Sequence, residues 1–273
     1  MSARSEADSP FEGDLLICAP HMDDETLGCG MLIARHAARH RVRVLFATNG
    51  ARSPEPPAGR PQAAHGLPAV REAEAVQALE ILGVSRPDIE FLGLPDGALN
   101  RHEAELGQLV AERVRSSRAA YVLVPFRYDR HPDHLALNRA VTVARCGGRL
   151  GAEIVEYFVY TQWRLLGSGD VRDYVEPGDL VRLRSEEAAE RKRRAIACYR
   201  SQTTRFFDGQ RRPILTDALI ERVCAEAETF LCHRPVRSGR RGLVRGRYWV
   251  PLACRLEPAL KRWKDRLTGE LVQ

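Results

Sequence analysis

Four side chains within five positions carry the first sign of chemistry in this chain: His21, Asp23, Asp24 and Glu25, in the run D-L-L-I-C-A-P-H-M-D-D-E-T-L-G-C-G over residues 14–30. An apolar segment ends abruptly in them, and a helical pattern begins. One imidazole and three carboxylates at the carboxyl end of a buried strand are costly to desolvate unless something positive joins them. A bound cation is the simplest partner. A second polar cluster, F-R-Y-D-R-H-P-D-H over residues 126–134, follows another strongly apolar run, A-Y-V-L-V-P, and brings Asp129, His131, Asp133 and His134.

Taken together, His21, Asp24 and His134 make two imidazoles and one carboxylate. Three protein ligands with one open position are the pattern of a catalytic zinc site, whereas structural sites are closed. Zinc so held lowers the pKa of its water to about 7 and makes a nucleophile available at neutral pH. Asp23, beside a ligand but pointing elsewhere, is placed to act as general base. His131 lies three residues before His134; as imidazolium it would stabilise a developing oxyanion or protonate a leaving amine. Either Asp129 or Asp133 would hold that imidazole in orientation. The constellation fits metal-assisted amide hydrolysis with one Zn2+ per chain, other divalent metals remaining open.

The elements that must position these groups read as an α/β pattern. Residues 14–19 fit a buried strand, 26–40 a helix and 41–48 a second strand, a β-α-β unit of the kind that builds parallel sheets. Ligands of such sheets sit at the carboxyl ends of the strands, where His21, Asp23 and Asp24 lie. A Pro-, Gly- and Arg-rich loop over 49–68 precedes a helix over 70–82, a brief strand over 89–92 and the turn L-G-L-P-D-G with Asp96. A helix over 103–115, the strand over 120–125, a helix over 135–146 and a strand over 154–160 follow, giving about five strands. Residues 166–180 read as loop, 185–199 as a charged helix opened by Ser185 and Glu186–Glu187, and 216–232 as a further helix. The expected organisation is a lead-in over 1–12, one domain over 13–233 and a basic extension over 234–273.

Of the 273 residues, 44% are hydrophobic and 29% charged, a balance that buries a sizeable core. No apolar run approaches the roughly 20 residues that span a bilayer. The cysteines number seven, with no C-x-x-C, which implies free thiols in a reducing cytoplasm. Net charge is +6. Much of the excess follows His233, where a solvated basic tail, or weak contact with a membrane surface, is expected. No motif supports nucleic-acid binding. Gly28 and Gly30 do not form a dinucleotide loop, because G-x-G-x-x-G is absent and the carboxylates before them would repel a pyrophosphate.

The two metal motifs, H-M-D-D-E-T-L-G-C-G and H-P-D-H, resemble the LmbE/PIG-L family of zinc-dependent N-deacetylases. T-N-G after the second strand, Arg71 and Glu74 opening a helix that ends in L-G-V, L-P-D-G with Asp96, and Y-R-S-Q extend the likeness over roughly residues 14–202. The resemblance implies a Rossmann-like, mostly parallel sheet flanked by helices. It implies His21, Asp24 and His134 as zinc ligands, Asp23 as general base and His131 as the group that stabilises the tetrahedral intermediate. Arg71 and Asp96 match positions that hold the sugar; on residue chemistry alone, Arg71 also fits a helix-surface charge and Asp96 a plain turn residue. The implied substrate is a small sugar conjugate containing N-acetylglucosamine. Two positions depart from the family: Met22 stands where Pro is usual, and Gly30-Met31 where a Gly pair is usual. An amide hydrolase acting on a thiol conjugate or other non-sugar amide is one alternative. A carbohydrate- or lipid-binding protein without turnover is another.

Overall fold

The computed structural model describes residues 9–55, 66–129, 131–159 and 179–232. Five strands run parallel through the centre: β1 (Leu15–Ala19), β2 (Val42–Thr48), β3 (Ile89–Leu94), β4 (Tyr121–Pro125) and β5 (Glu153–Tyr157). Two further strands, β6 (Leu180–Leu183) and β7 (Glu228–Cys232), complete a seven-stranded sheet in the order β3-β2-β1-β4-β5-β7-β6. The mostly parallel α/β reading holds, but the helix expected over 216–232 does not. It stops as α7 (Asp217–Ala225), Glu226 is extended, and E-T-F-L-C becomes β7, pairing antiparallel with β5. Thr229 and Phe230 favour a strand, and a short strand directly after a helix is easily absorbed into the helical pattern before it.

Alternation along β1 assigns the two faces. Leu15, Ile17 and Ala19 join the core beneath α1 (Asp24–His36), α2 (Leu67–Leu82) and α5 (Glu186–Ile196). Leu16 and Cys18 join the opposite core, under α3 (Glu103–Ser117) and α4 (Pro132–Cys146). Each fully buried Leu or Ile here contributes on the order of 1.5–3 kcal/mol, and β1 donates such residues to both sides, as a central parallel strand must. The short α6 (Arg200–Thr203) follows α5 and carries Ser201 and Gln202.

The chain divides into two compact units, residues 1–159 with 181–233, and residues 160–180 with 234–273. Apart from residues 179 and 180, the second unit falls outside the described residues, and with it the expected basic extension and most of the 166–180 loop, as do positions 56–65 of the 49–68 loop. Among the described residues, no helix is long and apolar enough to cross a membrane.

Candidate metal centre

The sheet order places β1 beside β4, although the chain leaves β1 toward β2 and leaves β4 toward β5. That is a topological switch point, where the turns after the two strands diverge and leave a crevice. Pro20 and His21 follow β1, and α1 begins at Asp24; Phe126 to His131 follow β4, and α4 begins at Pro132. The two polar clusters therefore meet across adjacent strand ends.

They converge on one atom. Asp24 Oδ2 lies 3.0 Å from His21 Nδ1 and 3.1 Å from His134 Nε2, and it also accepts the His21 backbone N–H at 3.0 Å. Tetrahedral donors with bonds of about 2.0–2.1 Å sit about 3.3 Å apart, which is the scale of the two contacts that Asp24 Oδ2 makes with the imidazoles. The rings of His21, His131 and His134 form a triangle with centroids 4.6–5.5 Å apart. Among the described residues, the groups whose donor atoms all lie within 4.8 Å of one another are His21, His131 and His134 and, on the other side of the same imidazole, His21, Asp96 and Asp133; Asp24 is in neither.

The remaining carboxylates surround these ligands. Asp96 Oδ1 and Asp133 Oδ2 each lie 3.3 Å from His21 Nε2. Asp96 Oδ2 accepts the Arg52 N–H, and Asp133 accepts the N–H groups of Gly97 and Leu99. Asp129 Oδ1 lies 3.3 Å from His134 Nδ1 and accepts the His131 backbone N–H. Neither Asp129 nor Asp133 presents its carboxylate to the His131 ring as the sequence reading proposed. Asp129 serves His134, and it is the Asp133 backbone N–H that donates to His131 Nδ1, at 3.2 Å. Sequence spacing placed both carboxylates near the ring, but the first turn of α4 rotates Asp133 toward His21.

Asp23 has φ +155°, a conformation that side-chain-bearing residues rarely adopt. Although aspartate is a preferred helix cap, its side chain makes no capping bond to α1, which leaves the carboxylate for other work. The strained turn is held from beneath. Glu25 Oε2 accepts the Asp23 N–H at 3.1 Å, and Glu25 in turn accepts from the hydroxyls of Thr26 and Tyr199, all three side chains being buried. Residue types alone give Glu25 no role, and Tyr199 enters only as the first residue of Y-R-S-Q; the three consecutive acidic residues and that motif were the available signals. Arg71 is only 1% exposed. Its guanidinium donates to the carbonyls of Met22, Gly50 and Ser53 and lies 3.4 Å from Asp23 Oδ1. It is no helix-surface charge.

The electrostatics ask for a cation. Burial alone would raise Asp24, but His134 and His21 hold it well below the carboxylate range. Burial likewise opposes protonation of His134, yet Asp24 and Asp129 push it up to about 10, and His21 is raised well above its usual value against burial by Asp133, Asp24 and Asp96. Asp23 is pushed up to about 7 by burial, against the pull of Arg71. His131 moves the other way, down to about 4, through burial and then the neighbouring His21 and His134. A buried set of nitrogen and oxygen donors whose imidazoles gather protons to balance its carboxylates is a set that a divalent ion fits.

Residues 16–145 match the family model described as PIG-L, GlcNAc-PI de-N-acetylase. The chain carries a PIG-L domain. Both metal motifs lie inside that span. Among solved structures, TT1542, a conserved protein of Thermus thermophilus, is 26% identical, with a TM-score of 0.57, over 83% of this chain and 99% of its own. Dbv21, the A40926 pseudoaglycone deacetylase, is 20% identical, with a TM-score of 0.60, over 80% and 96%. GalB, a 4-carboxy-2-hydroxymuconate hydratase of Pseudomonas putida KT2440, is 18% identical, with a TM-score of 0.58, over 84% and 99%. The last two share the fold and differ in reaction, so the fold of the PIG-L domain does not choose its chemistry.

Proposed function

We propose that this chain is a zinc-dependent N-deacetylase that hydrolyses the acetamide of an N-acetylglucosamine-containing conjugate. The observation that carries the reading is that Asp24 Oδ2 lies 3.0 Å from His21 and 3.1 Å from His134, next in sequence to Asp23, whose carboxylate does not cap α1. The family match supports the acetamide and the sugar.

His21, Asp24 and His134 would hold the ion. When bound, it supplies Lewis acidity, polarising the amide carbonyl and making water acidic enough to attack at neutral pH. Asp23 takes the proton of the attacking water, and Arg71 fixes one of its carboxylate oxygens. His131 stabilises the oxyanion as a neutral donor rather than the imidazolium first envisaged. Its Nδ1 accepts the Asp133 N–H, which leaves the proton on Nε2, and its lowered pKa keeps the ring uncharged at neutral pH. A cation nearby lowers that pKa further. Asp96, beside His21, remains the position proposed to meet the sugar, whereas Arg71, buried against the carbonyls of Met22, Gly50 and Ser53, supports the turn that carries Asp23. A cytoplasmic site of action is supported by the free thiols of Cys18, Cys29, Cys146, Cys198 and Cys224.

Acetate release across a panel of N-acetylglucosaminyl conjugates tests the proposal, with chelator treatment, zinc add-back and metal analysis of the purified chain. Stoichiometric zinc, chelator-sensitive acetate release and a collapse of turnover in Asp23→Ala are expected. Protein without a divalent metal, or full hydrolysis by Asp23→Ala, would overturn it. The GalB likeness favours one second reading, addition of water to a carbon–carbon double bond. Turnover of an unsaturated acid with no acetate released from any conjugate would select it.

A further inference from the structure

Helix α1, which begins at Asp24, is gripped from outside by a buried ion pair. Lys192 of α5 and Glu228 of β7 are 1% and 5% exposed, and Nζ lies 2.8 Å from Oε1. Neither group stops at its partner. The ammonium donates to the Leu27 carbonyl at 2.7 Å, while the carboxylate accepts the N–H groups of Met31 at 2.8 Å and Leu32 at 2.9 Å. Leu27 C=O and Met31 N–H are the two ends of one rung of a regular α-helix. Here the ammonium donates to the first and the carboxylate accepts from the second, while α1 runs on unbroken from Asp24 to His36. Gly30 leaves room for this approach, since a Cβ there would lie 2.8 Å from Lys192 Cγ.

We propose that Lys192 and Glu228 are positioning residues for the metal centre. The contacts begin one turn after Asp24, so the pair ties the segment from Asp23 to Leu27 to α5 and β7. That segment supplies the ligand Asp24 and the base Asp23. Their geometry is thereby set by α5 and β7, more than 160 residues further along the chain. The inference rests on the proposed metal function of Asp24.

Arg191, the residue before Lys192, supplies the control. It also ties α5 to α1, but at the far end, donating to the carbonyls of Ala34 and Ile81. Zinc affinity is measured by competition with a chromophoric chelator, alongside melting temperature and steady-state kinetics, in Lys192→Met, Glu228→Gln, Gly30→Ala and Arg191→Met. Positioning predicts that Lys192→Met and Glu228→Gln weaken zinc binding at least about ten-fold, the scale seen for groups that orient metal ligands. It also predicts a fall mainly in kcat, with KM within about two-fold. Gly30→Ala should move in the same direction by crowding the Lys192 stem, and it serves if the other variants fail to fold. Arg191→Met should lower the melting temperature and leave zinc affinity unchanged. Equal zinc affinity in wild type and the folded variants, or an equal loss in Arg191→Met, overturns the proposal. A wild-type chain that binds no zinc overturns the metal reading itself.

Discussion

The two turns that build the site follow the same plan, strand then turn then helix, yet they are held in opposite ways. The turn after β4 is locally encoded. His131 caps α4 by accepting the Asp133 N–H, Pro132 occupies the first helical position, where its missing N–H costs nothing, and Val143 on the same helix is 59% exposed. The turn after β1 has none of these aids. Asp23 sits at a strained φ without capping α1, and every residue of that helix except Arg35 is buried. Its conformation comes from Glu25 and Tyr199 beneath, Arg71 beside and the Lys192–Glu228 pair behind. One half of the site is thus written where it stands, and the other is imposed by distant parts of the chain. Strain of this kind persists only where its surroundings over-determine it.

That contrast can be broken experimentally. The largest effect is expected at the shared oxygen of Asp24. Asp24→Ala should abolish stoichiometric metal, read by elemental analysis, and should cut turnover by more than about 100-fold, an order-of-magnitude expectation for a lost ligand. Asp129→Asn touches His134 from outside and should weaken metal affinity by about 10–100-fold without abolishing it. Next in size, Glu25→Leu strands the Asp23 N–H and leaves the Tyr199 hydroxyl only Thr26 as partner, and should cost about 3 kcal/mol in chemical denaturation. A loss below about 0.5 kcal/mol would mean that the first turn supports itself.

Gly28→Ala should destabilise by about 1–3 kcal/mol through overpacking, because a Cβ there would run into the ring of Tyr157. Its counterpart on α4, Val143→Ser, should stay within about 0.5 kcal/mol. The smallest effect is expected for Pro132→Ala, within about 1 kcal/mol and with zinc retained. A large loss of activity there would show that the second turn also depends on a special conformation.

Much of the site was legible. His21, Asp23, Asp24, His131 and His134 stood out because polar groups ending apolar runs are conspicuous, and the structure gathers all of them with Asp96, Asp129 and Asp133. The five parallel strands were also legible, since buried parallel strands read as short apolar blocks. What escaped was of two kinds. β7 was hidden because a five-residue strand abutting α7 continues its apolar pattern. Lys192 and Glu228 were hidden because a lysine in a charged helix and a lone glutamate look like solvated surface, and only folding shows them to be enclosed.

The sequence by itself determined which groups are present and at which strand ends, because hydrophobic periodicity and the residue types on either side of it are local properties. It therefore determined the α/β class and the pair of polar motifs at adjacent strand ends. Tertiary structure decided how those groups face one another. It gave Asp129 to His134 and Asp133 to His21, turned His131 Nδ1 to the Asp133 N–H, buried Arg71 against Asp23, and set an ion pair against the helix that starts at Asp24. Each of these depends on an oriented contact between segments far apart in the chain. Local periodicity carries no record of side-chain direction across such distances.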